Sequence, residues 1–189
     1  GQLRQALSVS CNPETELTTS KEIKMGRGYF TGKPWHSTLD WCTFQIGQCR
    51  LHVHLKKTKE FYSSQPKITE NCSCGYCKYF ESVVINQPNK FFEILKKMEV
   101  DLSRQPNVNP DGVCCVGDTK PDKLGYMGNY FVFGEIGKTS KKTAQVDEDN
   151  SVVEVAFNNT EFGDNTQVKI KQVEKDKMSF EFYMDVDKS

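Results

Sequence analysis

The chain has 189 residues, with 25 basic and 25 acidic side chains and a formal charge of zero. Without a basic excess to displace counterions from phosphate, it lacks the electrostatic footprint of a nucleic-acid module. No apolar run reaches the roughly 18 residues of a spanning helix, and 12 Phe, 7 Tyr and 2 Trp argue against intrinsic disorder.

The length fits a single domain over 1–189. A cysteine-bearing part, 1–115, holds Cys11, Cys42, Cys49, Cys72, Cys74, Cys77, Cys114 and Cys115, and 116–189 holds none. Charge divides in the same direction: residues 1–110 carry 15 basic and 10 acidic groups, and residues 111–189 carry 10 and 15. An even cysteine set with an adjacent pair predicts an oxidised extracellular framework. Cys42 and Cys49 would close the short loop between them. The sequons at Asn71 and Asn158 are glycosylation candidates, although two matches are about what chance gives.

In chain order, the first feature is Gly26-Arg-Gly-Tyr-Phe-Thr-Gly-Lys-Pro-Trp-His36. Trp35, with Arg27 and Lys33 nearby, is the candidate binding contact, because Trp and Arg dominate interaction hot spots. Gly32-Lys33-Pro34-Trp35 resembles the Gly-x-Trp opening of lipocalins, and no ligand residue is carried over from it. Next, Leu51, Val53 and Leu55 alternate with Arg50, His52, His54 and Lys56, the period of a half-buried strand. His52 and His54 then share one face, a pair able to chelate only with a third ligand; His36 is the remaining histidine.

Two groupings of cysteines could carry chemistry. Cys49-x2-His52 with Cys74-x2-Cys77 supplies the three sulfurs and one imidazole of a structural zinc site, with Gly75 favouring the second tight turn. In a strand, however, positions 49 and 52 point to opposite faces. Cys74-Gly75-Tyr76-Cys77-Lys78 resembles the active-site motif of thioredoxin-like oxidoreductases. That resemblance implies a helix whose N-terminus lowers the first thiol's pKa. It covers five residues; the lead-in is polar, the segment after it reads as a strand, and Cys72 offers a competing partner.

Between Asn89 and Leu102, Phe91, Leu95, Met98 and Leu102 recur at helical spacing, with Phe92 and Ile94 widening the stripe. Pro88 suits the first turn and Pro106 bars continuation. Gln105–Gly112 is turn-rich. Beyond it, Tyr130–Ile136, Val153–Phe157, Val168–Ile170 and Phe180–Val186 alternate as strands, predicting a four-stranded meander over 126–187 whose last loop lies between Val173 and Met178. Asp147-Glu148-Asp149-Asn150 lacks the ligand spacing of a calcium loop.

The fold predicted is α+β and β-dominated: antiparallel sheets forming a sandwich or barrel, one mid-chain helix, and disulfide reinforcement. No Gly-x-Ser-x-Gly elbow, His-Glu-x-x-His or phosphate loop is present. The reading is a secreted, disulfide-bonded glycoprotein that binds an extracellular protein ligand or receptor, with no catalysis, no cofactor and no membrane span. The alternatives are a zinc-binding intracellular or viral protein using Cys49, His52, Cys74 and Cys77, and a thiol–disulfide oxidoreductase at Cys74 and Cys77.

Overall fold

A computed structural model describes residues 9–10, 40–47, 49–105, 113–137, 144–146, 153–157, 162 and 165–188. The chain opens with strands β1 (Val9–Ser10), β2 (Trp41–Ile46) and β3 (Cys49–His54), then runs through four helices. These are α1 (Leu55–Ser63), α2 (Ile68–Asn71), α3 (Gly75–Ser82) and α4 (Lys90–Lys97), with a 3-10 turn at Val84–Asn86. Six strands follow: β4 (Cys114–Lys120), β5 (Lys123–Ile136), β6 (Ala144–Val146), β7 (Val153–Phe157), β8 (Thr166–Glu174) and β9 (Lys177–Asp187).

All pairings are antiparallel, in the order β1-β2-β3-β5-β9-β8-β7-β6, with β4 also on β5. The order ends at β1 and β6 without closing, and among the described residues no second sheet covers it. The result is a mixed α/β fold on an open antiparallel sheet, which replaces the predicted sandwich or barrel. The strand alternation was present, but alternation reports only that one face is buried; helices bury it here. Rings from α3 and α4 do this directly. Phe80 lies 5.1 Å from Tyr126, and Phe91 and Phe92 lie 5.6 and 6.1 Å from Phe182, which itself stacks on Tyr130.

The meander is also corrected. β7, β8 and β9 follow one another, but β9 then pairs with β5 from Lys123 to Phe133, so β5 and β7 are not neighbours. The last hairpin is tighter than predicted, with only Lys175 and Asp176 between β8 and β9. The helix expected over 89–102 is α4. It is capped by Asn89, whose Oδ1 accepts from the N–H groups of Phe91 and Phe92, and it ends at Met98. Pro88 therefore precedes the cap, and Glu99 leaves the helix at φ 65°.

Strand β5 has an edge that its neighbours do not fill. β4 pairs with residues 123–127 and β3 with 134–136. Between them, α1 supplies side chains in place of a strand. The Tyr62 hydroxyl accepts from Phe131 N–H at 2.9 Å and donates to Phe131 C=O at 3.1 Å. Thr58 Oγ1 accepts from Phe133 N–H at 3.1 Å and donates to His54 C=O. Buried backbone groups must be paired by something, and here a helix does it. Among the described residues no helix is long and apolar enough to cross a membrane.

Candidate metal centre

The cysteine-rich turn lies between two short helices. α2 ends at Cys72, whose N–H donates to Ile68 C=O at 3.0 Å. Cys72 and Cys74 both have extended backbones, and α3 begins at Gly75. Thr69 N–H donates to the Glu81 carboxylate at 2.8 Å, tying the start of α2 to the last turn of α3. Cys74 is the N-cap of α3: its sulfur accepts from Cys77 N–H at 3.4 Å, the place usually taken by a Ser or Asp oxygen. The segment after Cys77, expected as a strand over 78–85, is thus helical to Ser82, with Val83 as its C-cap and Val84 and Ile85 in the 3-10 turn.

This geometry gathers three sulfurs. The Sγ atoms of Cys72, Cys74 and Cys77 all lie within 4.8 Å of one another. Cys72 and Cys74 are exposed and Cys77 is buried. Hydrogen bonding to the sulfur, first from Cys77 N–H and then from the Cys72 and Cys77 thiols, brings the Cys74 pKa down to about 7. Burial, followed by the neighbouring thiols, holds Cys77 well above the ordinary thiol range. Cys74 is thus a ready thiolate, and a cation binding here would displace the proton that burial holds on Cys77. Gly75 has no positive φ, and a Cβ there would meet nothing within 4 Å. The tight turn is made by the cap, not by the glycine.

Beside the cluster runs a groove of about 530 Å³, bordered by Cys74, Tyr76, Tyr79, Asp118, Leu124 and Lys188. Tyr126, on β5, reaches the same first turn of α3: its phenol donates to Tyr76 C=O at 3.1 Å.

The structure separates the two halves of the expected Cys49/His52/Cys74/Cys77 zinc set. His52 pairs with Glu135 near the end of β5, whereas Tyr126, under the cluster, sits nine residues earlier on that strand. At roughly 3.3 Å per residue, that is about 30 Å. Cys49 and His52 also point to opposite faces, Cys49 being buried with its thiol pushed up to about 12 by desolvation. His52 Nδ1 lies 3.1 Å from Thr43 Oγ1, and His54 caps α1 through Lys57 N–H. His36 lies outside the described residues.

The disulfide framework is overturned as well. Cys49, Cys72, Cys74, Cys77, Cys114 and Cys115 are free thiols, and no disulfide joins two described residues. Cys42 alone among the described cysteines is not a free thiol, and Cys11 lies outside the described residues. Cys42 opposes Val53 and Cys49 opposes Ile46, so the β2–β3 register keeps them apart and no bridge closes that loop. The reading of a binding protein held by an eight-cysteine disulfide framework falls with these six free thiols. Asn71 is exposed at the end of α2, its Nδ2 donating to Gln105 C=O at 3.5 Å, and its sequon runs through the thiol cluster. Trp35, Arg27, Lys33 and Asn158 lie outside the described residues, as does the acidic run 147–150.

The member of the cluster that the sequence pattern did not single out is Cys72, read as a competitor of the pair at 74 and 77. The available signal was the Cys-x-Cys-x2-Cys spacing itself, three thiols within six residues. No protein-family model matches the chain, and no curated protein or solved structure matches it.

Proposed function

We propose that this chain binds a thiolate-seeking d10 cation, Zn(II) in the first instance, through Cys72, Cys74 and Cys77. The observation that carries this is the mutual approach of the three sulfurs to within 4.8 Å. A tetrahedral Zn(II) with sulfurs at about 2.3 Å needs them about 3.8 Å apart. A contraction of at most about 1 Å, at two exposed side chains and one buried one, closes that gap. Soft sulfur ligands select zinc or Cu(I) over magnesium or calcium.

The role that fits is structural. The ion ties the end of α2 to the first turn of α3, a stretch otherwise held by a few hydrogen bonds, and the domain does no chemistry of its own. Competition against a chromophoric chelator under reducing conditions tests the reading. One equivalent of Zn(II) bound with submicromolar affinity, and lost in C74S and C77S, is the expected result. Failure of the reduced wild-type chain to retain stoichiometric zinc, Cd(II) or Cu(I) would overturn it.

A further inference from the structure

Three thiolates leave tetrahedral zinc one ligand short, and structural zinc sites are normally closed by a fourth protein ligand. Strand β4 passes the cluster and carries two free cysteines, which the register sorts by face. Cys115 opposes Tyr126 and Cys114 opposes Met127. Directly opposed residues of an antiparallel pair project to the same side of the sheet. Tyr126 is buried against α3, packing on Phe80 and bonding Tyr76 C=O, so Cys115 projects toward α3. Met127 is exposed, and Cys114 shares its outer face.

The burial agrees: Cys115 is half-buried and packs against the core, whereas Cys114 is exposed. The register of β4 shifts between Cys115 and Gly117, where Val116 is the extra residue and Gly117 adopts φ 97°. Bulges re-aim the side chains beside them. Here Gly117 N–H lies 3.4 Å from the Cys115 sulfur, a donor directed at that atom. Tyr126, the ladder partner of Cys115, donates from its phenol to Tyr76 C=O at 3.1 Å, so the pair that holds Cys115 meets the first turn of α3.

We infer that Cys115 is the fourth thiolate of the centre, giving a Cys72/Cys74/Cys77/Cys115 site that clamps β4 to α3. The inference rests on the metal-binding reading above and adds to it a ligand and a consequence. Zinc then does more than brace a local turn: it joins the helical segment to the strand that follows it, across the connection at 106–112.

The test uses the reduced full chain loaded with Co(II) as the spectroscopic stand-in for zinc, comparing wild type with C115S, C114S and C77S. Wild type is expected to show tetrahedral visible bands and four-thiolate charge transfer. C115S should lose about a quarter of that intensity and bind zinc roughly tenfold or more weakly. C114S should match wild type. C115D, which restores an anionic donor without a thiolate, should regain part of the affinity but not the charge transfer, and this excludes misfolding as the cause. Unchanged intensity and affinity in C115S, with loss in C77S, would overturn the fourth-ligand assignment and leave the three-thiolate site standing. No cobalt or zinc binding by wild type would instead remove the site itself.

Discussion

The two ends of β5 carry the same kinds of side chain and come to opposite chemical outcomes. At the end near Glu135, Cys49 and His52 lie three residues apart on β3, one sealed in the core and the other on the opposite face. At the end near Tyr126, Cys74 and Cys77 lie three residues apart as N-cap and third residue of a helix, and their sulfurs converge with that of Cys72. A spacing of three separates side chains on a strand and brings them together at a helix start. Ligand spacing therefore has chemical meaning only once the local backbone is known.

The sharpest way to break this comparison is metal affinity. C77S, which removes the buried ligand, should weaken zinc binding roughly a hundredfold or more, whereas C49S and H52A should leave it unchanged. Equal losses in both sets, read by chelator competition, would mean that the two ends act as one site.

The next largest effect concerns the edge of β5. Tyr62→Phe removes the hydroxyl serving both Phe131 N–H and C=O, and should destabilise the fold by about 2–3 kcal/mol. Thr58→Val strands Phe133 N–H and should cost about 1–2 kcal/mol. Urea midpoints that do not move in either variant would show that α1 is not replacing a strand there.

Thiol reactivity sharpens the contrast without mutation. In metal-free reduced protein, Cys74, with a pKa of about 7, is largely thiolate at pH 8, and its alkylation should fall as pH drops below 7. Cys49, held up at about 12, stays protonated through that range. Peptide mapping after brief iodoacetamide treatment at pH 6 and pH 8 checks this, with zinc expected to protect Cys74 and not alter Cys49. The smallest effect belongs to Gly75→Ala. With room for the Cβ and an ordinary helical φ, it should be neutral or stabilise by up to about 1 kcal/mol, and a loss of zinc binding there would show that the glycine is needed in the turn.

Much of the element pattern could be read from the residues. The alternation at Val168–Ile170 and Phe180–Val186 gave two real strands, and the stripe of Phe91, Phe92, Ile94 and Leu95 gave α4 its buried face. α1 and α3 were not legible. α1 follows β3 without a break, and its start at His54 looks like continued alternation through Leu55. α3 has a cysteine where Ser or Asp would announce a cap, and its β-branched Val83 and Val84 lie just past its end. The site was half legible: Cys74 and Cys77 stood out by spacing, but their partners were sought at Cys49 and His52.

What the sequence determined by itself is periodic and local. Side-chain alternation, helical stripes and short-range cysteine spacing follow from backbone geometry within a few residues. What only the tertiary structure decided is which elements become neighbours: β9 inserted beside β5, helices rather than a second sheet on the buried face, Tyr62 and Thr58 in place of a missing strand, and Cys115 turned toward α3. Those outcomes depend on contacts between residues far apart in the chain, where many pairings satisfy the same local pattern and packing selects among them.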